Sequence, residues 1–148
     1  RTTGFNTIAG EHPNWRILGQ EYGEFTSAKG KEVMEMFLEK YPEIDVVVSQ
    51  NDDMTMGALE AIHEAGKTTG IDGDIIVISF DAVKEGLELV KEGIINVDIE
   101  CNPNQGEYIS DILKRLEAGQ EVEKKYYVEE NIFTIDNVTD ELLQERSY

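Results

Sequence analysis

Apolar and polar positions alternate along this chain with two distinct periods. Phe5, Ile8 and Ala9 fall at the i, i+3, i+4 spacing of one helix face, which predicts a helix over roughly residues 1–10. After a stop at His12-Pro13-Asn14, the stretch Trp15–Tyr22 reads as a strand. Thr26 or Ser27 is a suitable N-cap for a helix over about 27–40, with Val33, Met36, Phe37 and Lys40 on its inner stripe and Pro42 closing it. Ile44–Ser49 and Asp74–Phe80 are nearly continuous apolar runs, as expected of strands buried on both faces of a parallel sheet. Between them Met54, Ala58, Leu59 and Ile62 mark a helix over about 54–66 that ends at Gly66. A helix near 83–92 stopping at Gly93, a strand over 94–99, and a helix near 104–118 carrying Ile109, Ile112, Leu113 and Leu116 follow. Residues 125–128 and 132–135 read as extended, and a short helix near 138–145 is last.

Regular alternation of strand and helix implies an α/β fold, an open doubly wound parallel sheet with helices on both faces and right-handed crossovers. In such sheets ligands bind beyond the carboxyl ends of the strands. Those ends carry Gln50-Asn51-Asp52-Asp53, Asp81, and Glu100-Cys101-Asn102. Groups that give and take hydrogen bonds at three successive strand ends point to a polar, uncharged or polyhydroxy ligand.

Charge narrows the partners. With 31 acidic and 13 basic residues among 148, the formal net charge is −18. A chain without a clustered Lys/Arg surface is a poor match for nucleic acid or for an anionic membrane face. No apolar run reaches the roughly 18 residues needed to span a bilayer. The one cysteine, Cys101, excludes an internal disulfide and a thiolate-cluster zinc site. No phosphate-binding glycine motif and no G-x-S-x-G nucleophile element occurs. His12 and His63 lack metal-ligand spacing, and Asp72 with Asp74 reads as a turn rather than a calcium loop. The residues suggest neither an enzyme nor a cofactor or metal site.

One stretch rises above this background: Asn51-Asp52-Asp53-Met54-Thr55-Met56-Gly57-Ala58-Leu59-Glu60-Ala61, with Gly66 following. It resembles the N-D-x-M-A-x-G-A-x-x-A signature of the periplasmic sugar-binding proteins and their repressor relatives. Arg1-x-x-Gly4-Phe5 looks like the R-x-x-G-F motif of that family, Phe25 like its aromatic before the next helix, and Phe80-Asp81 like its F-D motif. Glu100-Cys101-Asn102-Pro103 is similar to the E-C-N-P variant of the branch that includes galactofuranose-binding proteins. The likeness extends to about Asp136, with departures at Asp53, Thr55 and Ala82, where Glu, Ala and Gly are usual.

The resemblance implies a type I periplasmic binding protein lobe and a sugar held in a cleft between two lobes. Arg1 would donate a fork of hydrogen bonds, Asn51 would donate and accept, and Asp81 would accept from hydroxyls and pair with Arg1. Phe25 would lie along an apolar sugar face. Of Cys101 and Asn102, alternation lets only one face the cleft. Because no strand precedes the first helix, the chain is expected to be a fragment, a C-terminal lobe without its N-terminal partner. Residues 1–101 and 131–148 would form this lobe. The crossover helix and strand in 102–130 would belong against the missing one, leaving Ile109, Ile112, Leu113 and Leu116 unsatisfied. The implied function is the monosaccharide-binding component of an ABC-type uptake system, outside the cytoplasm and working with a membrane permease. The alternatives are the effector domain of a LacI-type repressor and the extracellular sensor domain of a receptor kinase.

Overall fold

The computed structural model describes residues 1–148. Helices α1 (Thr2–Glu11), α2 (Ser27–Lys40), α3 (Asp52–Glu64), α4 (Lys84–Lys91), α5 (Gly106–Glu117) and α6 (Asp140–Glu145) accompany four strands, β1 (Val46–Val48), β2 (Ile76–Asp81), β3 (Val97–Glu100) and β4 (Ile132–Phe133). The sheet order is β1-β2-β3-β4. β1, β2 and β3 run parallel, with Val47 opposite Val77 and Ser79 opposite Asp98, while β4 returns antiparallel, placing Phe133 opposite Asp98. The expected α/β architecture is observed, with a parallel sheet at its centre and one antiparallel edge strand.

The core lies where the helix stripes meet the sheet. Ile62, Val77, Leu87, Val90 and Ile95 are almost completely buried, with Ala58, Leu59 and Phe133 around them. Strand alternation sends Val77, Ser79 and Asp98 to this side. Ile76 and Ile132 point to the other and stay largely exposed. Crossover helix α3 is capped at both ends. The side chain of Asn51 accepts from Met54 N at 3.0 Å to start α3. Gly66, at φ 73°, ends it in the left-handed conformation that glycine takes most easily.

Helix α2 lies on α3 rather than on the sheet. A Cβ at Gly30 would come within 2.5 Å of Met54 O, and one at Gly57 would press into Ser27 O and come within 2.7 Å of Lys31 N. This backbone-to-backbone approach fixes the rotation of α2 and corrects the expected stripe. Gly30 and Met34 are its buried residues, while Met36 and Lys40 are exposed.

Three expected extended segments differ. Residues 15–22 form no ladder. They lie along the end of α2, where Tyr41 Oη donates to Leu18 O and a Cβ at Gly19 would be 2.8 Å from Phe37. β1 pairs only with β2, so its outer edge has no strand beside it. Residues 125–128 also form no strand, and Tyr127 is exposed; apolar alternation alone does not make a strand without a neighbouring backbone. The stretch 132–135 shortens to two residues because Asn137 Oδ1 accepts from Thr134 N at 2.8 Å, turning the chain there.

Candidate functional site

The polar groups at the carboxyl ends of β1, β2 and β3 converge around Arg1. From the N-cap position of α1, its Nη2 donates to Asp81 Oδ1 at 2.6 Å and its Nη1 to Gln50 O. The guanidinium lies 5.1 Å above the centroid of the Phe80 ring, a stacked arrangement that suits a planar cation. Partial burial works against the Arg1 charge, but the adjacent Asp81 carboxylate more than compensates and raises its pKa; Cys101 acts in the same direction. Thr2 and Gln50 exchange side-chain hydrogen bonds beside this pair.

Asn51 is held from several sides. Its carbonyl accepts from Thr55 Oγ1 at 3.0 Å and from Ser49 Oγ at 3.1 Å, and its Oδ1 caps α3. That capping role uses the acceptor half of the amide and leaves the Nδ2 donor unused within the chain. Asp81 is presented from a turn in which Asp81 and Ala82 take φ 109° and 57°, a region that L-residues enter only at a cost. The main chain of this turn is fastened from below: Val83 N donates to Asp52 Oδ2 at 2.8 Å and Ala82 N to Asp98 Oδ1 at 3.2 Å. Asp81 Oδ2 accepts nothing within the chain.

Cys101 N donates to Asp81 O at 3.2 Å, and Cys101 is exposed. Asn102 goes elsewhere. Its Oδ1 accepts from Asn104 N at 2.8 Å, and it lines a separate depression with Glu100, Arg146 and Tyr148. Phe25 is exposed and makes an edge contact with Tyr22 at 5.8 Å between centroids. Its loop is tied to the start of α3, because a Cβ at Gly23 would be 2.5 Å from Met54 Sδ. The structure therefore gathers Arg1, Asp81 and Cys101, sets Asn51 directly after Gln50, keeps Phe25 on an adjoining loop, and turns Asn102 away.

Free N–H donors on Arg1 beside an open acceptor on Asp81 can hold a compound that carries several hydroxyls, and Asn51 Nδ2 is a further free donor at the end of β1. No group of three or more His, Cys, Asp or Glu side chains comes together as metal ligands would.

Comparison with known proteins identifies the family and the fold. The sequence model of the periplasmic binding protein domain matches residues 1–144. The chain belongs to this family. Within it, the chain is 32% identical to a galactofuranose-binding protein of Escherichia coli K12, aligning over 99% of its own length and 47% of the relative. It is also 32% identical to a ribose import binding protein of Salmonella typhimurium, over 87% of this chain and 42% of that one. The chain thus spans about half the length of the curated relatives it matches. Two solved structures superimpose closely on this periplasmic binding protein domain. One is a Mycobacterium smegmatis protein in complex with β-D-fucofuranose, at TM-score 0.88 and 38% identity, covering 99% of this chain and 47% of that one. The other is the periplasmic component of an arabinose ABC transporter from Shewanella sp. ANA-3 bound to L-arabinofuranose, at TM-score 0.87 and 34% identity, covering 99% and 48%.

Some contacts that shape this site could not be read from the sequence. Gln50 anchors Arg1 through its carbonyl, which no side-chain pattern reveals. Asp98, buried within β3, had a signal in principle: a carboxylate at the inward position of an apolar strand needs a reason to be there.

Proposed function

We propose that this chain is a sugar-binding lobe of an ABC-type carbohydrate uptake system and that it contributes half of a cleft that closes on a monosaccharide. The observation that carries this reading is the Arg1–Asp81 pair, 2.6 Å apart at the strand ends, with Asn51 Nδ2 and Asp81 Oδ2 left free. In a hexose or pentose, neighbouring hydroxyls act as both donor and acceptor, and this set offers both. Phe25 supplies an exposed aromatic face for the apolar side of the ring, and Cys101 stands at the edge of the pair. Asn102 makes no contact with that group, so we assign it to the loop leaving β3.

Residues 1–101 and 131–148 then make up the lobe, and 102–130 packs against a second lobe. The exposed stripe of α5 and the half-length match to relatives support that division. The whole protein acts outside the cytoplasm and hands its sugar to a membrane permease. It uses no cofactor and performs no covalent chemistry. Closure of the lobes about their crossings traps the sugar.

Calorimetry of the full-length protein against pentoses and hexoses in pyranose and furanose forms tests the proposal. Asp81→Ala removes a charged acceptor and is expected to weaken binding by about a hundredfold, and Asn51→Ala by about tenfold. Unchanged affinity in both variants would refute it.

A further inference from the structure

Beneath the turn that presents Asp81 lie the two carboxyl groups that fasten it, and they lie against each other. Asp98 is fully buried at 0% exposure and Asp52 nearly so at 2%. Asp52 comes from the first turn of α3, Asp98 from the middle of β3, and the two meet over Gly86 of α4. An added Cβ at Gly86 would lie 2.8 Å from Oδ2 of each, so both oxygens crowd the same point. Their partners are unequal. Asp52 Oδ1 accepts from Ser79 Oγ, which is itself 2.6 Å from Thr55 Oγ1, and Asp52 Oδ2 accepts from Val83 N. Asp98 Oδ1 accepts only from Ala82 N, and Asp98 Oδ2 is buried with no donor facing it.

Two bare carboxylates cannot share such a pocket, because each charge loses its hydration and repels the other. A single proton removes both difficulties. Asp52 has the donors that stabilise an anion. Asp98 has the orphaned oxygen, which becomes satisfied once it carries a hydrogen and donates to Asp52. Burial, followed by the charge of Asp52, pushes the Asp98 carboxyl up to about 8. Burial also raises Asp52 against its hydrogen bonds from Ser79 and Val83. The other titratable group acting on the pair is Asp81 of β2, itself paired with Arg1, while α4 turns Gly86 toward it.

We propose that Asp98 and Asp52 share one proton and together act as the positioning element for Asp81, clamping the amides of Ala82 and Val83 so that the turn holds its left-handed shape. Asp98 and Asp52 are positioning residues, since neither reaches the cleft. The clamp follows from the carboxyl geometry, whereas its service to a sugar rests on the reading of the site proposed above.

The sign of the pH dependence follows. Between the ordinary aspartate value of 3.8 and about 8, the folded chain keeps a proton that the unfolded chain has released. Wild type therefore loses stability as pH rises through that window and levels off above it. Asp98→Asn keeps an acceptor oxygen and places an N–H donor group where the protonated oxygen stood, but cannot titrate. Relative to D98N, the unfolding equilibrium constant of the wild-type 148-residue chain should rise by up to about tenfold per pH unit across the window.

Carboxyl carbon NMR of the wild-type chain is the decisive measurement and depends on no variant folding. One buried aspartate should titrate near 8, and the protection of the Ala82 and Val83 amides, taken relative to their intrinsic exchange rates, should fall through the same midpoint. If every aspartate titrates below about 5, in the ordinary range, the shared proton is refuted. Parallel stability profiles for wild type and D98N would refute it equally. In the full-length protein, sugar affinity should fall above pH 8 in wild type and stay level in D98N; equal pH profiles would overturn the positioning role. If wild type binds no sugar at any pH, the sugar reading fails while the carboxyl titration still decides the clamp.

Discussion

Helix α3 carries Ala58, Leu59, Ala61 and Ile62 along its inner side, and all four are buried. Helix α5 carries Ile109, Ile112, Leu113 and Leu116 at a comparable spacing, and none of its residues is buried. Both are well-formed amphipathic helices of similar length, 13 and 12 residues. They differ in what lies opposite: α3 has the sheet below and α2 above, while α5 extends from the loop between β3 and β4 with no packed neighbour. An apolar stripe states that a face needs covering, not which element covers it. Under the proposed division of the chain, the partner of α5 is the second lobe.

Mutations can break or sharpen this contrast. Ile62→Ala, at a position with 0% exposure, is expected to cost about 4 kcal/mol in denaturant unfolding, through lost burial and the cavity left behind. The next effect belongs to the boundary between the packed region and the α5 excursion. Glu100 and Asn131 bracket residues 101–130, joined by Glu100 N donating to Asn131 O at 2.9 Å and Asn131 N to Glu100 Oε2 at 2.9 Å. Arg146 pairs with Glu100 at 2.6 Å, and both side chains are only 5% exposed. Arg146→Met strands the carboxylate and should cost about 3 kcal/mol.

That boundary also has a pH signature. Burial pushes the Glu100 carboxyl up, but hydrogen bonds from Tyr148, Arg146 and Asn131 outweigh it and hold the pKa below the ordinary 4.5. A depressed carboxylate stabilises the fold above that value and loses its contribution as pH falls below it. Glu100→Gln should therefore flatten the acid limb of the stability curve. The smallest effect is expected in α5 itself. Leu113→Ala, at 54% exposure, should change the stability of this 148-residue chain by less than about 0.5 kcal/mol. A loss near that of Ile62→Ala would mean that α5 is packed after all.

The same contrast explains what the sequence made legible. Every expected helix formed, because caps such as Thr26 and Asn51, stops such as Gly66, and the apolar spacing are local signals. Strands over 15–22 and 125–128 did not form, because a ladder requires a second backbone and nothing in Trp15–Tyr22 encodes whether one is adjacent. The rotation of α2 was hidden for a related reason: it is set by Gly30 and Gly57, positions with no side chain to give a pattern. Among the candidate site residues, Arg1, Asn51 and Asp81 could be named from strand ends and motifs. The local turn at Asn102, whose Oδ1 accepts from Asn104 N, could not be read from strand alternation.

The close approach of α2 and α3 has a mechanical consequence. Gly30 and Gly57 bring the two backbones into direct contact, and Gly23 seats the preceding loop on Met54, three residues past Asn51. Two interlocked backbones cannot slip past each other without breaking contact, so the loop carrying Phe25 and the cap formed by Asn51 travel as one rigid plate. Under the proposed function, exchanging Phe25 for another side chain would then reshape one wall of the cleft while the polar groups kept their spacing. Ligand preference could diversify at that position without re-tuning the rest of the lobe.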